Sequence, residues 1–253
     1  MTLRKRVLLA CLFGIVFFIS LCIFAPASLM GYVLERASGG KLALAQTTGS
    51  LWQGAGIAIL QQKNRQQLLG SYHWSVHLFS LSVQVQTGDS TPMTLRYMPL
   101  SGHLDIAHPH LSLPASALEI AAPQLGPYQL QGTLEIRSDH LLLDAAGMNG
   151  QITVDWLRAA SGLSEIKPLG DYRILLHGNG AVLNGELSTL SGKLQLAGEG
   201  SFDKASGMRI NGTAQAAPGA AADELNELLH HIGPEMSPGV YTLALMPQPS
   251  VNR

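Results

Sequence analysis

Nine histidines in 253 residues are the first place to look for chemistry. His108-Pro-His110 sets two rings on one strand face with backbones about 7 Å apart, and His103 stands nearby. A metal site needs three or four converging ligands with supporting hydrogen bonds, and neither cysteine nor a dense carboxylate cluster joins these three. They read as solvated or hydrogen-bonded histidines. His73 and His77 fall in one strand-like run, and His230-His231 closes a helical stretch, where positive charge is favourable. Ser164-Glu-Ile-Lys167 has the Ser-x-x-Lys spacing in which a lysine can deprotonate a serine nucleophile. Its companions are missing, because Ser138-Asp139-His140 is the nearest approach to Ser-Asp-Asn and no Lys-Thr-Gly exists. Gly178-Asn-Gly180 opens like a dinucleotide loop but lacks the third glycine and runs into a strand. The acidic residues are scattered singly along strands, as on solvated faces. The expectation is a non-enzyme with no catalytic, cofactor-binding or metal-ligating residues, no cofactor and no small-molecule substrate.

The elements around these residues are mostly strands. Period-two alternation recurs at Leu81/Val83/Val85, Leu95/Tyr97, Leu104/Ile106, Leu111/Leu113, Leu130/Leu134/Ile136 and Leu141/Leu143, the pattern of half-buried antiparallel strands. Earlier, Lys41 to Ala45 and Ile57 to Leu60 read as strands, Thr47 to Gly49 as a turn, Gln61 to Gln67 as a hairpin tip, and Leu68 to Leu78 as a strand with Trp74 inward. Gln151 to Asp155 forms a strand, Trp156 to Ala160 a helical turn, and Ser161 to Gly170 a connection between two halves, 41–160 and 168–246. The second half alternates at Tyr172/Ile174/Leu176, Val182 to Leu187, Leu194/Leu196, Met208/Ile210 and Tyr241/Leu243/Leu245, with glycines that permit bulges and coiling. One helix interrupts it: Asp223 is a plausible N-cap, Leu225, Leu228, Leu229 and Ile232 form one stripe, and Gly233-Pro234 ends it. The fold class is all-β, a mainly antiparallel, strongly coiled open sheet or half-barrel with short flanking helices; closure into a barrel is left open.

The N-terminus adds one transmembrane helix. Arg4, Lys5 and Arg6 precede an uncharged run, Val7 to Ala25, whose 19 residues span about 28 Å as a helix, close to the thickness of a bilayer. Ala25-Pro26-Ala27 has the small-x-small form of a signal-peptide cleavage site, but an apolar region of this length favours a retained anchor. The positive-inside rule keeps residues 1–6 cytoplasmic and sends 26–253 across the membrane. After Pro26, the segment Ser28 to Ala37 carries Leu29, Tyr32, Val33 and Arg36 at helical spacing, a short helix at the membrane surface. Both cysteines, Cys11 and Cys22, lie in the apolar run, which leaves the exported part without a disulfide or thiolate-bound metal. That part has 13 basic and 17 acidic residues, a balance that argues against a nucleic-acid partner.

The block Gly49-Ser-Leu-Trp-Gln-Gly-Ala-Gly56 is the most distinctive motif. Trp52 has two readings, a core anchor flanked by small residues, which is the expected one, or a docking surface for a partner. Thr48-Gly-Ser-Leu-Trp-Gln-Gly-Ala55 is similar to the Gly-Thr-Leu-Trp-x-Gly-x-Ala pattern of protein N of the bacterial type II secretion system. Lys167-Pro-Leu-Gly-Asp-Tyr-Arg173, Leu187 to Gly200, Asn211-Gly-Thr-Ala-Gln-Ala216 and Glu224 to Gly233 resemble that family's C-terminal half in the expected order. Departures are conservative: Ser50 stands in place of Thr, Phe202 in place of Trp and Ile210 in place of Phe. The resemblance implies a non-enzymatic accessory or assembly subunit in the inner membrane, with a periplasmic β-rich domain that helps export folded proteins. Its implied partners are the inner-membrane platform, the pseudopilus or protein C, besides membrane lipid through residues 7–25. Structural or docking candidates are Trp52, Gly54, Trp74, Leu225, Leu228 and Leu229. The rival reading is a lipid-binding or lipid-transfer module, similar in architecture to AsmA-like envelope proteins, with an apolar groove.

Overall fold

The computed structural model describes residues 12–14, 16–18, 20, 22–62, 65–88, 91–118, 123–203, 207–219 and 222–245. The chain divides into two compact units, residues 1–92 and 93–253; the connection expected at Ser161 to Gly170 lies inside the second. The described residues between 12 and 23 are helical, and the side chains of Leu12, Phe13, Val16, Phe17, Phe18, Ile23 and Phe24 are exposed. Residues 1–11, 15, 19 and 21, and with them all of the expected cytoplasmic tail and part of the apolar run, lie outside the described residues. Among the described residues no helix is long and apolar enough to cross a membrane.

In the first unit, helix α1 (Ser28–Ala37) leads into an antiparallel meander of β1 (Leu42–Gly49), β2 (Gln53–Gln62), β3 (Arg65–His77) and β4 (Ser82–Thr87). The helix has the bounds that the apolar spacing and Gly39-Gly40 predict, and Trp74 is buried with Ala58 and Leu60 as expected. One expectation is corrected here and another is narrowed. Thr47 to Gly49 is not a turn but the end of β1, which absorbs the irregularity as a bulge between Ala45 and Thr48, with Gln46 at positive φ. The hairpin tip expected over Gln61 to Gln67 falls within that run but is tighter than expected, with β2 reaching Gln62 and β3 resuming at its register partner Arg65.

The second unit contains β5 (Met93–Met98), β6 (His103–Ala107), β7 (His110–Pro114), β8 (Gln131–Arg137), β9 (His140–Leu143), β10 (Met148–Ala160), β11 (Gly170–Gly180), β12 (Val182–Gly192), β13 (Leu194–Asp203), β14 (Gly207–Ala216), helix α2 (Ala222–Ile232), β15 (Glu235–Ser237) and β16 (Val240–Leu245). Its strands run β5-β6-β9-β10-β11-β12-β13-β14-β16-β15, an open antiparallel path whose first and last strands do not pair with each other among the described residues. Long β10 serves β9 with its first residues and β8 with its last, and β7 pairs β8.

Trp156 to Ala160 is therefore not a helical turn. It is the end of β10, bulged where Arg158 takes positive φ and donates its backbone N–H to Asp171 Oδ1 at 2.7 Å. Asp223 lies within α2 rather than at its N-cap. Gly192 faces Gly170 across β12 and β11, at φ +133° and so close that an added Cβ would stand 2.2 Å from the Gly170 Cα; only glycine fits both the conformation and the approach.

Candidate functional site

The glycine-tryptophan block sits between the apolar N-terminal segment and β3. Gly49, at φ +90°, ends β1, and just beyond it the Ser50 N–H donates to the Gln53 carbonyl at 2.8 Å. Gly54 stands opposite Trp74 in the β2–β3 register, and a Cβ there would lie 2.5 Å from Trp74 Cζ2, 2.7 Å from the Thr48 oxygen and 2.9 Å from the Ser50 oxygen. The spacing Gly54-Ala-Gly56 thus leaves room for the buried indole, whose Nε1–H donates to the Leu51 carbonyl at 3.1 Å. Gly54→Ala is expected to cost about 1–3 kcal/mol through overpacking against backbone, measured as a lowered denaturant midpoint of the first unit; an unchanged midpoint would show that the indole can move aside.

Trp52 takes a different place from the core position expected of it. It is half-buried, and its Nε1–H donates to the Cys22 carbonyl at 2.7 Å. The same block holds the next residues by backbone: the Leu51 N–H donates to the Ala25 carbonyl at 2.8 Å, the Ala27 N–H to the Gly49 carbonyl at 3.3 Å, and Pro26 bridges Ser50. Ala25 and Ala27 are buried. On its other side the Trp52 carbonyl accepts from the Val76 N–H at 2.7 Å, which ties the block to β3. Nearby, a cleft of about 390 Å³ is lined by the hydrogen-bonding groups Gln53, His73, Ser75, Gln84 and Gln86 together with apolar Ala55, Trp74 and Pro92.

In the second unit Leu225, Leu228 and Leu229 of α2 are buried against Ile166, Leu169, Leu194, Ala214 and Tyr241. Tyr241 fixes the helix: its hydroxyl donates to Asn226 Oδ1 at 3.0 Å, and its ring meets His230 edge-on at 5.1 Å. Beside this covered region lies an apolar cleft of about 160 Å³ between Ile174, Leu176, Leu183, Leu187, Ile210 and Leu243, floored by Gly185, Gly198 and Gly200.

One acidic residue departs from the expected solvated face. Asp155 is buried on β10 between Arg173 and Arg137: it accepts from Arg173 Nε at 2.7 Å and Nη2 at 3.0 Å, and from Arg137 Nη2. The hydrogen bonds and charge of Arg173, with those of Arg137, hold its carboxyl below the ordinary carboxylate range despite burial. Burial pushes the Tyr172 phenol well up, with Asp171 adding to it, and the neutral hydroxyl donates to the Leu194 carbonyl at 2.9 Å. The histidines do not converge. His103 faces Asp144 at 3.8 Å, His140 faces Asp105 at 2.6 Å, and no group of three metal-ligating side chains occurs among the described residues. The Ser164 hydroxyl accepts from the Ile166 N–H at 3.1 Å, a local turn contact, while Lys167 is exposed.

The model of one protein family, the type II secretion system (T2SS) protein N, matches residues 40–244. The chain belongs to this family. The match runs from the foot of β1 to the end of β16 and includes both the tryptophan block and α2. Neither a curated protein nor a solved structure matches the chain. Protein N is an accessory component of type II secretion, so the chain is involved in that process, in the cell envelope and in association with other secretion components.

Proposed function

We propose that the chain is a non-enzymatic accessory subunit that assists assembly of the type II secretion apparatus, held in the inner membrane by residues 7–25 with its β-rich units in the periplasm. The family match over 40–244 carries this reading. Anchoring confines the β units to the layer occupied by other tethered subunits and raises their effective concentration there. Open sheet ends such as β15, which pairs only β16 among the described residues, suit strand addition by a partner. The platform, the pseudopilus and protein C are the partners in view.

The lipid-carrier reading is less favoured by the geometry. The apolar cleft, at about 160 Å³, falls short of the ~300 Å³ at which small-molecule sites begin, and α2 covers the adjoining part of the sheet. Replacing residues 1–25 by a cleavable signal peptide tests the anchored-subunit reading. Membrane retention should be lost and complementation of a secretion-deficient strain weakened; full complementation by the released protein would overturn the requirement for tethering.

A further inference from the structure

The helix α1 turns the wrong way for a helix that merely packs on its own domain. Its apolar stripe Leu29, Tyr32 and Val33 is exposed, at 43%, 59% and 55% of full accessibility, and no residue of the helix is buried. The side it gives to the first unit is the one carrying Gly31, whose position closes on Leu44 of β1. The apolar segment ending at Phe24 enters from the same end, its described side chains equally uncovered, so exposed apolar surface continues from one helix into the next. Between them the chain is clamped. Cys22, Ala25 and Ala27 are each bonded to the tryptophan block, and Pro26 bridges Ser50.

We infer that the block Gly49–Gln53 is a seat for the end of the membrane segment, fixing the first β unit against the bilayer so that Leu29, Tyr32 and Val33 lie in its interfacial layer. The chemistry fits that partner. The last carbonyls of a helix lack the regular helical partner, and in a membrane such exposure is costly; the Cys22 carbonyl accepts the Ala25 N–H at 3.3 Å, and the Trp52 indole adds the shorter donor at 2.7 Å, while tryptophan and tyrosine are the side chains that favour the interface. A short amphipathic helix with an apolar stripe and Arg36 at its end is built to lie there. Ala25-Pro26-Ala27 is then a structural joint: all three are paired to backbone, with Ala25 and Ala27 buried and Pro26 exposed, and the joint is not extended for a signal peptidase. The inference rests on the reading of residues 7–25 as a retained anchor.

The test uses the full chain with Cys11→Ser and Cys22→Ser and one of Leu29→Cys, Tyr32→Cys or Val33→Cys, labelled with an environment-sensitive fluorophore. It is reconstituted in phosphatidylethanolamine–phosphatidylglycerol vesicles with a nitroxide on the lipid or iodide in the water. Expected are blue-shifted emission, quenching by the lipid nitroxide and protection from iodide at all three positions. Trp52→Ala should abolish the shift while the chain stays with the vesicles, and so should Trp52→Phe, which keeps a ring and removes the donor. Persistence of the shift in both variants would overturn the seat. Iodide quenching of an intact, vesicle-bound chain would overturn the interfacial placement and leave the anchor standing, and protection from both quenchers would assign the stripe to a protein partner or second copy instead. Intact mass of the chain from cell membranes separates the two readings: loss of residues 1–27 would sink the anchor itself and the inference with it.

Discussion

Replacing Leu225 with alanine is expected to destabilise the second unit by about 2–5 kcal/mol, the range for removing a leucine side chain from a close-packed interior. Leu225 is fully enclosed, and its neighbours Leu194, Ala214 and Tyr241 belong to three different strands while Ile166 and Leu169 come from the connection before β11. Those strands are already bonded into the sheet and cannot collapse into the space. The cavity term therefore adds to the lost transfer energy. Leu228→Ala should behave alike, whereas Met236→Ala, at an exposed position of β15, should stay within about 0.5 kcal/mol. Urea titration of the full chain, followed by circular dichroism, reads the difference. The same variants address the choice between packing and docking. Secretion that falls in step with stability keeps Leu225 in the core; secretion lost at wild-type stability would assign it to a partner interface.

How far the sequence reveals the fold depends on the range of the interaction that decides each feature. The bounds of α1 and the existence of most strands follow from local periodicity and glycine punctuation, so they are legible from neighbouring residues alone. Trp156 to Ala160 is not, because Trp-Leu-Arg-Ala-Ala lacks alternation and its alanines and leucine favour helix; pairing with both β8 and β11 overrides that preference. The tryptophan block shows the same division. Small residues around an indole can be read directly, but which indole they serve is set by register, and it is Trp74, 20 residues beyond Gly54, that faces the gap. Trp52 is thereby released to reach Cys22, a contact with no sequence signal because it joins the apolar N-terminal segment to a strand end. Arg137 and Arg173 each lie 18 residues from Asp155, and nothing local marks the three as a group until β8, β10 and β11 align.

That alignment places Asp155 between two arginines, and its replacement by asparagine is expected to cost about 1–3 kcal/mol at neutral pH, the scale for losing hydrogen bonds to a charged group. The carboxylate is enclosed, with its side chain at 4% of full accessibility, while Arg137 and Arg173 keep 48% and 38%. The arginines can therefore rehydrate, and Arg137 retains Glu135 at 4.0 Å, which holds the penalty below that of stranding a fully buried charge. The pH dependence follows from the sign of the shift. The folded carboxyl titrates below its unfolded counterpart because Arg173, and after it Arg137, stabilise the anion. Its contribution is complete above the unfolded value of about 3.9 and disappears as pH falls through the lower, folded one. Denaturant titrations of the wild type between neutral pH and the acid range should show this component, and Asp155→Asn should remove it while flattening the acid limb. Equal acid sensitivity in both proteins would mean that other carboxylates govern acid unfolding. An asparagine variant as stable as wild type at neutral pH would mean that the arginines position strands β8, β10 and β11 without stabilising them, since the cross-strand pairing is otherwise unchanged.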